Sequence, residues 1–331
     1  MDRNLRILIV GCGRQGEKHL KTYLSLGNVE PLVCELDESR AKELKHKYRV
    51  SYVSNFYEAL NSLANRLDAV DICTPTWHHY EQVMAALKAG LHVLCEKPLV
   101  PTVKEAREIA NLAKKSGLQV MVGFLYRFHP AVKLIKHLLD GNELGRPYLA
   151  IFRIGGRGGH RKWKHLRERC GGAVLEMMLH MLDLALWFFG DIDKIEVTHG
   201  DIILSERVIE HEVVQVTAED YALCCFRSKS GVEIVCEADQ ITPSYMNYME
   251  VLGERGNVFA SILEQMSTLH FTREEGWKQY RFGYVNLIKK ELSYFVNCLA
   301  RGEPVRINTA EEYVKVVEIA DEIRRRIYDY M

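Results

Sequence analysis

Along the first third of the chain, short apolar runs alternate with stretches whose apolar residues recur at helical spacing. LRILIVG is followed by a helical pattern through Tyr23, PLVCELD by one through Lys47, AVDICTP by one from His79 to Ala89, HVLCEKP by another, and LQVMVGF closes the series at Gly123. Apolar runs of strand length between amphipathic helices predict parallel strands covered by helices on both faces, an α/β Rossmann-type domain over residues 1–124. After Pro147 the pattern changes. YLAIFRI, KIEVTHG, EVVQVTAEDYALCCFRS, GVEIVCEADQI, YMEVLGERGNVFASI and TLHFTR are strand-like, with hairpin breaks at Lys229-Ser230-Gly231 and Glu254-Arg255-Gly256-Asn257. They predict an α+β domain over residues 125–331 with a large, mainly antiparallel open sheet, one face of which is apolar and needs cover. Helices are expected from Ala173 to Phe189, from about Tyr284 and from about Thr309. The last has a capping box, Thr309 with Glu312, and an apolar stripe from Tyr313 to Ile327, and is expected to pack back on the first domain.

Composition fits two globular domains: 331 residues, 47% hydrophobic and 27% charged. Lys plus Arg equals Asp plus Glu at 44 each, so no net field gathers nucleic acid or a membrane surface, and neither is expected as a partner. The opening MDRNLRILIVG runs directly into glycines and reads as a core strand, not an export signal. Nine cysteines with no C-x-x-C pair read as free thiols in a reducing cytoplasm, with no metal site.

The segment GCGRQG follows the first strand at once and opens a helix. Gly11 permits the tight turn, Gly13 lets the backbone approach a pyrophosphate, Gly16 lets helix and strand pack closely, and the free amides at the helix start, from Arg14 and Gln15 on, face the phosphates. Glu35 ends the next strand 19 residues after Gly16, placed to accept from the adenine-side ribose hydroxyls and to repel a phosphate there; Leu36 follows where an arginine would have favoured one. The pattern predicts NAD rather than NADP. Asp37 is a rival for the ribose, or a cap for the helix holding Arg40 and Leu44.

In AVLEMMLHMLDLALWFF only Glu176, His180 and Asp183 are ionisable, spaced to share one face of a helix too apolar to be exposed. Buried ionisable groups are costly unless paired or used, so the stripe is either a satisfied internal network or part of an active site. The segment is too short and too interrupted by charge to cross a bilayer. No further His or Cys cluster completes a metal shell around it.

GCGRQG, TPTWHHYEQVMAALKAGLHVLCEKPL, GFLYRFHPAVKLI, GGAVLEMMLHMLDL and the tail from Glu291 to Ile319 resemble the Gfo/Idh/MocA family of glucose–fructose oxidoreductase- and inositol dehydrogenase-like enzymes. The resemblance implies a Rossmann domain, an open antiparallel sheet whose outer face packs in homodimers or homotetramers, and a Lys97 that contacts the substrate hydroxyl opposite His180. It implies that Thr74, Pro75, His79 and the Glu96-Lys97 pair lie along the cofactor and that Tyr126-Arg127 lies below the nicotinamide. Glu176 stands where many members carry aspartate. Oxidising a secondary alcohol needs a hydride acceptor and a base with a pKa near ambient pH. Lys97, desolvated beside a cationic ring, has its pKa drawn down, and His180 needs little tuning. His180 is assigned the proton and Lys97 the developing oxyanion, with Glu176 or Asp183 orienting; the lysine and histidine roles are interchangeable on sequence grounds.

The loop from Arg157 to Gly172 carries Arg157, Arg161, Lys162, Lys164, Arg167 and Arg169 against one acid, Glu168. That excess favours an anionic sugar derivative, such as a nucleotide sugar or a sugar acid, with Arg157 and Lys164 reading charge and Trp163 stacking on the ring; a solvated loop or a subunit contact is the alternative. The expected function is NAD-dependent dehydrogenation of a ring alcohol of a sugar, sugar derivative or cyclitol. The competing readings are an NAD-dependent glycoside hydrolase using transient oxidation and a non-catalytic NAD(H) sensor.

Overall fold

The computed structural model describes residues 4–157, 159–263 and 265–331, so the first three residues of the opening segment and Gly158 of the basic loop lie outside the described residues. In chain order the first elements are β1 (Leu5–Val10), α1 (Arg14–Leu26), β2 (Val29–Cys34), α2 (Glu38–Tyr48), β3 (Tyr52–Val53), α3 (Phe56–Leu63), β4 (Ala69–Ile72), α4 (His79–Lys88), β5 (His92–Cys95), α5 (Val103–Ser116) and β6 (Val120–Val122). The strands form a six-stranded sheet in the order β3-β2-β1-β4-β5-β6, and every pair is parallel. Ile7, Leu8 and Ile9 are all fully buried, as strands covered on both faces require. The order reverses between β1 and β4, and the crevice outside the strand ends at such a point is where ligands bind in doubly wound sheets.

Next come α6 (Pro130–Asp140), β7 (Pro147–Gly155), a π-helical turn (Val174–Met178) running into α7 (Leu179–Phe189), β8 (Ile192–Asp201), β9 (Glu206–Ile209), β10 (Glu212–Gln215), β11 (Tyr221–Ser228), β12 (Glu233–Asp239), β13 (Met246–Gly253), β14 (Gly256–Ser261), β15 (Met266–Arg273) and β16 (Gly276–Gly283), then α8 (Leu287–Arg301) and α9 (Ala310–Tyr330). The eight-stranded sheet has the order β16-β15-β14-β13-β7-β12-β11-β8. It is antiparallel except where β12 runs parallel to β7. Ala150, Phe152 and Ile154 of β7 and Ile234, Cys236 and Ala238 of β12 alternate into the core, where α7 covers them and Phe188 stacks on Phe152. The stretch read as one strand, EVVQVTAEDYALCCFRS, is two: β10 pairs with β9 in a separate two-stranded sheet, and β11 joins the large one. The stretch Arg167–Phe189 is long enough and holds an 18-residue window apolar enough for a membrane span, but 83% of that window is buried inside the protein, as in a core helix.

The chain divides into two compact units, Met1–Leu125 with Asn286–Val314, and Tyr126–Val285 with Lys315–Met331. Sequence reasoning gave all of 125–331 to the second domain. Instead α8 packs on α1, Asn308 donates to Phe124 O and Tyr313 to Val100 O, which ties the tail segment to the first unit. The rest of α9, expected on the first domain, holds to the second unit through Arg326 on Ile195 O and Tyr328 on Glu219.

Candidate active site

The glycine turn leaves β1 at the order reversal. Gly11 has φ +80, and a Cβ there would lie 2.7 Å from Thr74 Cγ2; one on Gly16 would lie 2.2 Å from Gly11 O. Both positions demand glycine. A Cβ on Gly13 would meet open space instead, which is the opening a dinucleotide phosphate needs beside the first amides of α1. Glu35 accepts from Cys12 N at 2.8 Å and Asp37 N at 3.1 Å, so its carboxylate braces the turn it was expected to serve. Asp37 accepts from Arg40 N and is the N-cap of α2, which leaves the ribose to Glu35. The residues present therefore fit NAD: an open glycine cradle, a helix start and an acid after β2.

Two groups that sequence reasoning missed, His19 and Asp71, form a buried network with Gln15 and Glu96. His19 of α1 reaches Asp71 Oδ2 with Nδ1 at 2.8 Å and Glu96 Oε1 with Nε2 at 3.2 Å. Gln15 also donates to Glu96 Oε1, at 2.8 Å. Gln15 and Glu96, both expected to lie along the cofactor, bond to each other. The only signal was a histidine three residues past Gly16 on the buried face of α1. Burial alone would raise the pKa of Glu96, but hydrogen bonds from His19 and Gln15 and the charge of Lys97 outweigh it and hold the carboxyl at about 2. The next residue, Lys97, precedes a cis peptide to Pro98. His79 is buried with Nδ1 2.7 Å from Pro98 O and Nε2 2.7 Å from Thr74 O. It thus pins the Thr74-Pro75 turn to the Lys97-Pro98 turn.

In the second unit Glu176 and His180 are both buried, Glu176 in the π-helical turn and His180 one residue into α7. Wide turns of this kind are frequent at functional sites, and the sequence spacing, read as a regular α-helix, did not show it. The Tyr126 ring stands edge-on to His180, centroids 4.9 Å apart, and its hydroxyl bonds that of Tyr245, a residue sequence reasoning passed over. Asp183, expected as an orienting partner of His180, takes a bidentate guanidinium: Arg127 Nε at 3.0 Å and Nη2 at 2.6 Å. A buried arginine needs such a partner, and this pair locks α7 to the segment after Tyr126. Glu219 accepts from Val174 N, the first amide of the π-helical turn, at 3.0 Å.

The basic loop does not hold its charge in reserve. Arg161 pairs with Glu210, Lys162 with Glu212 and Lys164 with Glu176. Arg167 lies 3.6 Å over the Tyr328 ring and Lys164 Nζ 5.1 Å over Trp163. Arg157 is exposed, and its carbonyl accepts from Arg207. Three of the loop's six basic side chains are thus paired with acids that the β9–β10 hairpin and the π turn bring in from elsewhere.

Residues 5–124 match the family described as oxidoreductase family, NAD-binding Rossmann fold, and residues 132–259 match the GFO/IDH/MocA C-terminal domain. Over 312 residues, 92% of this chain and 91% of the relative, it is 27% identical to a myo-inositol 2-dehydrogenase of Thermotoga maritima. It is 27% identical over 316 residues to a scyllo-inositol 2-dehydrogenase (NAD(+)) of Bacillus subtilis, covering 92% and 88% of the two chains. The structure of a levoglucosan dehydrogenase in complex with NADH and L-sorbose superposes with a TM-score of 0.88 at 20% identity, over 99% of this chain and 97% of that one, and so shares the fold. With both family regions matched and the glycine cradle formed as that fold requires, the chain belongs to the Gfo/Idh/MocA family of oxidoreductases, and its first unit is the family's NAD-binding domain.

Proposed function

We propose that this enzyme oxidises a ring secondary alcohol of a neutral sugar, sugar derivative or cyclitol with NAD. The observation that supports the choice of a neutral substrate is the internal pairing of Arg161, Lys162 and Lys164, which reduces the charge the loop offers to an anion. The names of the relatives, two inositol 2-dehydrogenases among them, support the substrate class. Bound NAD supplies the hydride acceptor. Lys97 donates a hydrogen bond to the substrate hydroxyl oxygen and stabilises the charge that develops on it as the hydride leaves. His180 takes the hydroxyl proton, and the edge of Tyr126 fixes its ring plane. Glu176, already paired with Lys164, orients the sugar hydroxyls through its remaining lone pairs. The test is a panel of cyclitols, hexoses, anhydro sugars, uronates and nucleotide sugars, read by NADH absorbance at low and high salt. A neutral substrate with a Michaelis constant flat in salt is expected. Turnover confined to anionic sugars, with a constant rising as salt screens charge over about 8–10 Å, would overturn the neutral reading.

A further inference from the structure

We infer that His19 is a positioning residue that acts as a buried imidazolium, fixing Glu96 beneath the Lys97-Pro98 turn and setting how tightly Lys97 holds its proton. The inference rests on the reading that Lys97 acts on the substrate. Both ring nitrogens of His19 point at carboxylate oxygens, Asp71 at 2.8 Å and Glu96 at 3.2 Å, and the side chain is 1% exposed. Only the protonated ring has an N–H for each; a neutral ring would turn a lone pair towards one carboxylate in a place where water does not screen it. The alternative is a neutral ring with Nδ1–H on Asp71 and Nε2 accepting from Gln15, whose amide nitrogen lies 3.3 Å away. Burial opposes the charge on His19, but the adjacent Asp71 carboxylate, through its charge and its hydrogen bond, carries the pKa well above the ordinary value.

Every element around the ring contributes a group that matters for this charge. Asp71 and Cys73 face it from the end of β4, Glu96 from the end of β5, and Gln15 from its own helix; Tyr23 lies one turn along, against Asp71 and Glu291 of α8. Burial pushes the Cys73 and Tyr23 pKa values up, so both stay neutral in the working range. The charges in contact with the ring are the two carboxylates Asp71 and Glu96, against one imidazolium, with Glu291 farther off beyond Tyr23. Glu96 also accepts from Lys97 N at 3.2 Å, and a Cβ on Gly123 would lie 3.2 Å from its Oε2, so the carboxylate has little room to move. His19 thereby links the phosphate-turn helix to the strand end that presents the lysine. It does so without touching the reacting atoms.

The test has two arms. In the first, nitrogen-15 NMR of the histidine-labelled wild-type protein, with the His19 resonance assigned by its loss in His19→Gln, should show both ring nitrogens protonated at pH 8. A neutral ring at pH 7 would overturn the proposal, whether or not the variant folds. In the second, His19→Gln removes one positive charge beneath Lys97. The high-pH limb of kcat should then move up by about one unit, the scale of one charge removed at several ångströms in an effective dielectric near 20. The same variant should lose roughly tenfold in kcat, the scale of a supporting-residue substitution, with KM little changed. An unmoved limb alongside an inactive Lys97→Ala would refute the link to Lys97. Full activity of Lys97→Ala would instead sink the catalytic reading of Lys97, and the NMR arm would still decide the state of His19.

Discussion

Glu35 is the residue on which cofactor choice turns. Its two oxygens already accept the Cys12 and Asp37 amides, so a ribose phosphate would meet a fixed carboxylate that has no freedom to swing aside. The wild-type enzyme is expected to favour NAD over NADP by roughly tenfold or more in kcat/KM, which corresponds to about 1.4 kcal/mol. Glu35→Gln should narrow that ratio. Equal use of the two cofactors by the wild type would refute the assignment. At this scale the sequence was legible where a residue's partner is close along the chain, as with Gly16 against Gly11 and Asp37 capping α2 at Arg40 N. It was not legible where the partner comes from afar: the Glu96 carboxylate turned to His19, the Asp183 carboxylate taken by Arg127, and Lys164 folded onto Glu176. Counting charges along a loop says nothing of acids that folding brings to it.

Elements were read best where local chemistry marks their ends. The capping box at α9 is formed as expected, with Thr309 N on Glu312 Oε2 at 3.0 Å and Glu312 N on Thr309 Oγ1 at 3.2 Å. The π turn ahead of α7 left no such mark, because its cause is tertiary: Gly172 has φ +114, and Glu219 occupies the space beside it. A Cβ on Gly172 would lie 2.4 Å from Glu219 Oε1, so Gly172→Ala should cost about 1–3 kcal/mol through strain and crowding. It should also lower turnover by displacing Glu176. Urea unfolding and kinetics on one preparation check both, and a neutral effect on stability would contradict the account. A second device joins α1 to α2. Hydrogen bonds from Tyr48, Lys47 and Arg40 hold Glu17 well below its ordinary pKa of 4.5. A depressed carboxylate pKa means stability that is present above 4.5 and lost as pH falls towards the folded-state value. Glu17→Gln should therefore be destabilised at pH 7, and its deficit against wild type should shrink steadily below pH 4.5. A deficit independent of pH would mean that packing, not charge, is what Glu17 supplies.

For the whole molecule, the change of pattern after Pro147 announced two architectures, and both are present: the parallel sheet in the order β3-β2-β1-β4-β5-β6 and the eight-stranded mixed sheet. The assignment of Asn286–Val314 to the first unit was hidden, because helical periodicity reports that a face is buried but not against which partner. The same limit applies to chemistry. Lys97 and His180 stand out by residue type and setting, yet their roles follow only from what the enzyme does to a substrate. The measurement that tests this most directly uses a panel-selected substrate carrying deuterium on the oxidised carbon. Wild-type enzyme should yield deuterated NADH in equal amount with the ketone. Lys97→Ala and His180→Ala should each slow that transfer by roughly a hundredfold or more while binding NADH nearly normally, as loss of a general acid–base group does. Cofactor recovered as NAD, with a free sugar leaving group or with no product at all, would contradict the account.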